Sequence, residues 1–87
     1  MFYVYLIISL NIKQPFTYVG YTNNLQKRLD LHNAGLGAKF TRGRKWKIIY
    51  KKRYNNKSIA MKEEHKLKKN YNFRAKIKKK YLNNELL

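Results

Sequence analysis

The sequence predicts a small α/β domain of the α+β type, in which a mainly antiparallel three-stranded sheet is flanked by two or three helices. Aromatic and β-branched residues, which favour strands, are concentrated in three runs: Phe2–Ser9, 16–22 and Trp46–Tyr54. Segments with helical spacing of apolar residues or with cap residues at their start lie between and after these runs: 24–33, 58–70 and 72–80. A chain of 87 residues has room for one such domain.

The first two strands are predicted to form a hairpin. Phe2–Ser9 is apolar without polar alternation, which is typical of a central strand covered on both faces. A connection that contains Asn11 and Pro15 leads into the second strand. In that strand, Gly20 permits either a close approach by another group or a bulge.

The third strand is predicted to lie at an edge of the sheet. Simple alternation places Trp46, Ile48 and Tyr50 on one face and Lys47, Lys51 and Arg53 mostly on the other. Lysine on an exposed edge discourages pairing with other chains, so this composition suits an edge strand.

Polar residues that commonly cap helices precede each helical segment. Asn23 or Asn24 can cap the first helix, and Gly35 can end it because glycine readily adopts the left-handed conformation. Ser58 can cap the second helix. Asn72 can cap a third, basic helix that is expected to end near position 80.

The composition is strongly basic. The chain has 21 Lys and Arg against four acidic residues, and its net charge of +17 predicts a polyanionic partner, most simply nucleic acid. Positions 39–80 hold 18 of the 21 basic residues, so binding should concentrate in the second half. An alternative is that many lysines form a merely solvated surface, since the abundance of Lys, Asn and Tyr is also what an AT-rich genome encodes.

Composition also bears on location. The absence of cysteine excludes disulfides and thiolate metal sites and fits a reducing cytoplasm. The apolar N-terminal segment lacks a basic leader and is shorter than the roughly 20 residues that span a bilayer. We therefore expect a cytoplasmic domain over 1–82 that does not contact membranes, followed by a fraying tail at 83–87.

The connection over 34–45 combines glycines with basic residues. Such a flexible loop can follow a phosphate backbone, although an ordinary polar surface loop has the same composition. This loop and the end of the third helix supply the predicted nucleic-acid-binding residues: Lys39, Arg42, Arg44, Lys45, Lys76, Lys78, Lys79 and Lys80.

A glutamate lies on the apolar stripe of the second helix. Ala60, Glu64 and Leu67 share one helical face, whereas Glu63 lies roughly 100° away. A carboxylate that faces the interior needs a partner. That partner can be a structural Lys or Arg, or a hard divalent cation, since Mg²⁺ is held by one or two carboxylates together with waters and phosphate oxygens.

The first helix carries Arg28 and His32 one turn apart. Both side chains can point from one face toward the sheet edge and converge on one pocket. Spacing alone leaves simpler interpretations open, because Arg28 can be a surface residue and His32 can interact with the helix end. The eight tyrosines are likewise expected mostly to pack.

Taken together, these residues form an ordered set that resembles the GIY-YIG endonuclease family. Tyr3-Val4-Tyr5 stands where the family has its first motif, with tyrosine in place of the glycine, and Tyr18-Val19-Gly20 stands where it has its second. The helix with Arg28 and His32 and the helix with Glu64 follow in the family's order. The resemblance covers nearly the whole chain and is to the small stand-alone members.

The resemblance implies metal-dependent hydrolysis of DNA phosphodiester bonds. It implies that Glu64 binds Mg²⁺ or Mn²⁺ and that Arg28 neutralises charge on the phosphoryl oxygens. It further implies that Tyr18, assisted by His32, takes a proton from the attacking water while Tyr5 positions the reactants. An asparagine that supports the active site of some members has no clear equivalent in this sequence.

Two other function classes fit parts of the sequence. A GIY-YIG-like scaffold could grip nucleic acid without cutting it, and a ribosomal or other RNA-associated protein would explain the charge but not the tyrosine, arginine and glutamate set. For the nuclease we expect a monomer without an obligate protein partner. Its substrate is expected to be DNA, branched or single-stranded DNA included, cut with low sequence specificity in repair or recombination.

Overall fold

Three strands and three helices follow one another in the order that the sequence pattern predicts. The computed structural model describes residues 1–86. Its elements are β1 (Phe2–Ser9), β2 (Thr17–Thr22), α1 (Leu25–Asn33), a 3₁₀ turn (Lys39–Thr41), β3 (Trp46–Tyr54), α2 (Lys57–Lys69) and α3 (Tyr71–Leu86). The predicted α+β class is confirmed. Within 1–86, no helix is both long enough and apolar enough to cross a membrane.

β1 is the central strand of the sheet, as its continuous apolar run predicts. The strand order is β2-β1-β3, and both pairings are antiparallel. Every side chain from 4 to 8 is at most 2% exposed, so the strand is covered on both faces. One face buries Val4 and Leu6 against α2, and the other buries Tyr5 and Ile7 against α1.

A bulge in β3 overturns the predicted alternation along that strand. Leu6 pairs with Tyr50 and the next residue, Ile7, pairs with Ile48, so Ile49 is an extra residue without a partner of its own. Tyr50 consequently packs on the α2 face, whereas Ile48 and Trp46 pack on the α1 face. The prediction that all three share a face is wrong.

The bulge also divides the basic residues of β3. Lys47 is paired with Ile8, whereas Lys51 and Arg53 are paired with Tyr5 and Tyr3. Successive positions along β1 face opposite sides of the sheet, so Lys47 lies on the opposite face from the other two. Lys51 and Arg53 thus share a face with Trp46 and Ile48, so the expectation that the basic side chains mostly lie opposite the apolar ones is also wrong.

Asparagine side chains cap all three helices, but two of the caps differ from those predicted. Asn24 accepts a hydrogen bond from the backbone N–H of Lys27 and caps α1. Asn56, two residues before Ser58, caps α2. Asn70 both ends α2 and caps α3, so Asn72 is not the cap. The sequence offers more than one suitable residue near the start of each of these two helices, and cap preference alone does not distinguish Asn from Ser.

The C-terminal helix continues further than expected. α3 reaches Leu86, past the expected end near position 80, and takes in the described part of the expected tail. Leu87 lies outside the described residues. Ile77 of this helix packs against the core of the α2 face, which fixes the helix beside α2.

The end of α1 is fastened to the start of β3 by one side chain. Asn33 accepts a hydrogen bond from the backbone N–H of Trp46 (2.6 Å) through Oδ1. Its Nδ2 donates to the carbonyl oxygen of Trp46 at 3.3 Å. These bonds satisfy backbone groups at the beginning of an edge strand and set the position of α1 over its face of the sheet.

Candidate active site

A cleft lies at the open edge of β2, where side chains from the two faces of the sheet meet. Its lining includes Tyr5 of β1, Tyr18 and Gly20 of β2, Arg28 of α1 and Glu64 of α2. Tyr21 and Thr22 complete the lining. The structure thus brings four of the five side chains expected to be catalytic to one cleft.

Gly20 makes room for Tyr5. The two residues are paired across β1 and β2, and the aromatic ring of Tyr5 lies over the glycine Cα. A methyl group at position 20 would overlap the Tyr5 hydroxyl and ring. The close approach anticipated from the sequence therefore serves to place the Tyr5 hydroxyl in the cleft.

His32 lies behind the cleft rather than in its wall. Its side chain is fully buried, Nε2 is 2.8 Å from the Tyr5 hydroxyl, and Nδ1 is 2.9 Å from Oγ1 of Thr41. Burial, reinforced by the charge of Arg28, lowers the pKa of His32 to about 4, so the ring is neutral near pH 7. The expectation that His32 points into the same pocket as Arg28 is wrong, because the ring is fully buried and does not line the cleft.

Tyr18 contacts His32 only through its ring. The two rings meet edge to face, with centroids 5.4 Å apart, and both nitrogens of His32 are engaged by other residues. The ring of Tyr18 also stacks on Phe40, at a centroid distance of 6.2 Å and an interplanar angle of 18°. His32 is therefore the hydrogen-bonding partner of Tyr5, not of Tyr18.

Arg28 lines the same cleft as Tyr5 and lies close enough to influence its hydroxyl. Burial raises the pKa of the Tyr5 hydroxyl above its ordinary value, and the guanidinium of Arg28 opposes that rise. Tyr5 is accordingly a neutral phenol near pH 7. Arg28 is partly exposed at the cleft, so its planar fork of donors can reach a bound phosphate.

The two adjacent glutamates of α2 lie on different sides of the helix. Glu64 lines the cleft, its side chain is 15% exposed, and Oε1 is 3.3 Å from Nζ of Lys68. Glu63 accepts a long hydrogen bond from the Tyr54 hydroxyl (3.5 Å) and pairs with Lys66 at 3.0 Å. The ion pair with Lys68 corresponds to the structural Lys or Arg partner that the sequence left open beside a divalent cation.

The cleft fits a cation that needs few protein ligands. Glu64 is the one carboxylate in its lining, and residues 1–86 contain no group of three or more His, Cys, Asp or Glu that could enclose a metal. A single carboxylate suits Mg²⁺ or Mn²⁺, which keep several waters and take further oxygens from a substrate phosphate. The donor set therefore fits a metal shared between protein and substrate.

The predicted basic residues are distributed unequally around the cleft. Arg44 packs over Phe16 and Phe40, its Cζ 4.6 and 5.3 Å from their ring centroids, close to Tyr18. Lys78 lines a groove that contains Thr17 of β2. Lys45 donates to the carbonyl oxygen of Asn33 at 3.1 Å. The other predicted side chains are exposed and line none of these grooves: Lys39, Arg42, Lys76, Lys79 and Lys80.

Two cations beside the site were not singled out from the sequence. Lys68 and Arg74 line a groove with Tyr18 and Phe40 that adjoins the cleft along β2. The available signals were helical spacing: Lys68 follows Glu64 by one turn, and Arg74 precedes Lys78 by one turn. Charge composition alone could not distinguish these two residues, because basic residues occur throughout the second half of the sequence.

The connection over 34–45 is more ordered than expected of a flexible loop. Its 3₁₀ turn buries Thr41 completely, and the Trp46 indole donates to the carbonyl oxygen of Thr41 at 2.9 Å. Gly37 lies against the ring of His32, where any side chain would overlap it. This segment belongs to the support of the site as well as to the basic surface.

The sequence profile described as the GIY-YIG catalytic domain matches residues 1–81. A UPF0213 protein of Oceanobacillus iheyensis is 48% identical over 67 residues, which cover 76% of this chain and 74% of that protein. A UPF0213 protein of Clostridium perfringens is 46% identical over 70 residues, or 79% and 72% of the two chains. A UPF0213 protein of Natronomonas pharaonis is 42% identical over 67 residues, or 76% and 75%.

No solved structure is significantly similar to the chain. The family profile nevertheless spans all of the elements that form the cleft, from Tyr5 to Glu64. The relatives carry the name UPF0213, which does not specify an activity. The chain belongs to the GIY-YIG family, a family of nuclease-type domains, as the resemblance predicted.

Proposed function

We propose that this protein is a metal-dependent endonuclease that hydrolyses DNA phosphodiester bonds with low sequence specificity. The observation that carries the proposal is the cleft itself, whose lining brings Arg28 and Glu64 together with Tyr5 and Tyr18. Membership of a nuclease-type family supports the same reaction class. The excess of positive charge supports DNA as the substrate.

Each side chain of the cleft has a role in this proposal. Arg28 holds the phosphate and stabilises the charge that develops on its oxygens. Glu64 holds Mg²⁺ or Mn²⁺, which when bound supplies Lewis-acid stabilisation of the phosphate and the leaving oxygen. Displacement of Lys68 from Glu64 would free the carboxylate for the metal. The ammonium group of Lys68 lies in the adjoining groove, where it can contact DNA.

The proton acceptor is assigned to Tyr5 rather than to Tyr18. The sequence resemblance gave this role to Tyr18 with help from His32, but the hydrogen bond of His32 is to Tyr5. Tyr5 therefore receives the proton of the attacking water, and Tyr18 positions the water or the phosphate. The proposal includes a monomer that acts in the cytoplasm, in repair or recombination.

A metal-chased cleavage assay tests the proposal. Glu64→Gln keeps the size of the side chain but removes the charge that a hard cation needs, so cleavage should fall by roughly a thousandfold. Glu63→Gln is the matched control, since it removes an equal charge from the same helix outside the cleft. Single-stranded, duplex and branched DNA should be compared, with RNA as a second control.

The ion pair between Glu64 and Lys68 favours one alternative, a non-catalytic protein that binds nucleic acid through the same surface. In that case Glu64 is structural, and wild-type protein binds DNA without metal-dependent cleavage. DNA binding by the Glu64→Gln variant should persist under both hypotheses. The decisive result is therefore cleavage, and equal activity of the wild-type and Glu64→Gln proteins contradicts the proposed metal site.

A further inference from the structure

We propose that Thr41 is a positioning residue that fixes the direction of the hydrogen bonds running through His32 to Tyr5. The inference rests on the proposed function, in which Tyr5 accepts the proton of the attacking water. Thr41 lies outside the cleft, yet its buried hydroxyl ends a chain that begins at the Tyr5 hydroxyl. Its effect would be to turn the Tyr5 O–H inward and leave the Tyr5 oxygen lone pairs facing the cleft.

The Thr41 hydroxyl determines which atom donates in each of these hydrogen bonds. Oγ1 of Thr41 donates to the carbonyl oxygen of Ala38 at 2.8 Å, and a carbonyl has no hydrogen to give in return. A hydroxyl has one hydrogen, which this bond uses. The contact of 2.9 Å between Oγ1 and Nδ1 of His32 therefore requires that Nδ1 carries the hydrogen and donates it to Thr41.

The His32 ring passes this constraint to Tyr5. A neutral imidazole carries one hydrogen, so a ring protonated at Nδ1 has an unprotonated Nε2. The ring is held neutral because its pKa is lowered to about 4 by burial and by Arg28. Nε2 must then accept, and the Tyr5 hydroxyl donates to it across 2.8 Å.

Surrounding contacts hold the three side chains in this arrangement. Trp46 binds the carbonyl oxygen of Thr41 through its indole N–H, which fixes the 3₁₀ turn. Gly37 lies against His32 so closely that a side chain there would displace the ring. Within the described residues, no buried side-chain polar atom lacks a hydrogen-bond partner, so both nitrogens of the imidazole are satisfied.

The charged and titratable neighbours come from three elements. Arg28 on α1 acts on both His32 and Tyr5, and Tyr18 of β2 and Glu64 of α2 act on Tyr5. Neither nitrogen of His32 is hydrogen-bonded to Arg28, Tyr18 or Glu64. Thr41 is thus the group that selects the histidine tautomer.

The arrangement gives a balanced path for the proton. As the water oxygen bonds to phosphorus, one of its hydrogens moves to Oη of Tyr5, and the original Tyr5 proton moves to Nε2 of His32. The bond from phosphorus to the leaving oxygen breaks, and that oxygen takes a proton from solvent. His32 then returns its proton to Tyr5, which releases one to solvent and restores the starting state.

Two substitutions at position 41 separate the hydroxyl from the rest of the side chain. Thr41→Val removes the hydroxyl at nearly constant volume, so the Nδ1–H tautomer loses its acceptor. Thr41→Ser keeps the hydroxyl. Ser9→Ala is a matched control, because Ser9 is also buried and its hydroxyl accepts from the Phe16 backbone N–H at 2.8 Å, away from the cleft.

The readouts are the His32 tautomer, from nitrogen-15 NMR, and the cleavage rate at saturating DNA. We expect the Nδ1–H form in wild type and Thr41→Ser, and loss of its dominance in Thr41→Val. The cleavage rate of Thr41→Val should fall roughly tenfold or more, because positioned proton transfer contributes about a hundred- to ten-thousandfold. KM for DNA should hold, and Ser9→Ala should cleave at the wild-type rate.

Several outcomes would overturn the proposal. An Nε2–H tautomer in the wild-type protein contradicts it without any activity measurement, even if the valine variant does not fold. Normal cleavage by a folded Thr41→Val protein, or equal losses in Thr41→Val and Ser9→Ala, also contradicts it. Failure of the proposed function is distinct: wild-type protein then cuts no DNA with any divalent metal, and the proton path fails with it.

Discussion

Arg28 is the cation that the structure places in the cleft lining beside the two tyrosines and Glu64. Lysine at this position keeps the charge but loses the planar fork that can hold two phosphoryl oxygens. We expect Arg28→Lys to lower the cleavage rate at saturating DNA by about a hundredfold, the scale of one preorganised donor. Single-turnover kinetics measure this rate separately from affinity, which should hardly change.

A matched control for Arg28→Lys is Arg53→Lys, because Arg53 is exposed on β3, the opposite edge strand. That variant should cut at the wild-type rate. If Arg28→Lys instead binds DNA more weakly and cuts normally once saturated, Arg28 contributes only uniform binding to substrate and transition state. Glu64 and Tyr5 would then remain the catalytic candidates.

Some residues of the site could be predicted from the sequence, and others could not. The motif positions identified Tyr5, Tyr18 and Glu64, and the structure gathers them with Arg28 in one cleft. The link from His32 to Thr41 could not be predicted, because the two residues are nine positions apart and only the folded loop makes them neighbours. Pairing of His32 with Tyr5 rather than Tyr18 depends on ring positions that sequence spacing does not fix.

At the scale of elements, α1 is attached to the sheet through polar side chains at its C-terminal end. His32 reaches Tyr5 of β1, and Asn33 binds the backbone of Trp46 at the start of β3. The histidine is buried and neutral, whereas in the unfolded chain it titrates near 6.5. The attachment of α1 should therefore make folding sensitive to mild acid.

The sign of this dependence follows from the lowered pKa. Between pH 6.5 and about 4 the unfolded chain binds a proton at His32 that the folded chain does not, so stability falls as the pH falls through this window. The loss is at most about 1.4 kcal/mol per pH unit, or roughly 3 kcal/mol in total. Above pH 6.5 this contribution is constant. Denaturant unfolding at a series of pH values measures it.

Two variants isolate the histidine responsible. His32→Asn should flatten the slope of unfolding free energy between pH 6.5 and 4.5, even if the variant is less stable throughout. His65→Asn should keep the slope, because His65 is exposed on α2. A slope that is unchanged in His32→Asn, or absent from the wild-type protein, would show that the ring is not held neutral in the folded state.

Elements were more predictable than their ends and irregularities. The predicted bounds of β1 and β3 agree with the structure because aromatic and β-branched residues are concentrated in these two runs. The bulge at Ile49 could not be anticipated, since one inserted residue leaves the composition of the strand unchanged while moving Tyr50 to the other face. The caps shifted for a related reason, because more than one residue near the start of each helix can cap it: Asn56 and Ser58 for α2, Asn70 and Asn72 for α3.

For the whole molecule, the distribution of charge matters more than its total. The net charge of +17 attracts any polyanion, but only part of it lies beside the cleft. Lys68 and Arg74 line the groove along β2 that includes Tyr18, and Lys78 continues the same side of α3 beside Thr17. Lys79 and Lys80 are exposed on that helix and line neither groove.

This division predicts how the salt dependence of DNA binding responds to substitution. Each phosphate contact contributes about 0.7 to 0.9 to the magnitude of the slope of log affinity against log salt. Arg74→Gln with Lys78→Gln should reduce that magnitude by roughly 1.5, because two cations no longer neutralise phosphates. Lys79→Gln with Lys80→Gln removes the same formal charge from the same helix and should change the slope far less.

Titration of labelled single-stranded and branched DNA across a salt series measures the slope for both double variants and for the wild-type protein. Equal reductions would mean that DNA binding depends on the overall positive charge of the second half rather than on contacts along β2. A wild-type affinity that does not change with salt would show that phosphate contacts do not contribute to binding.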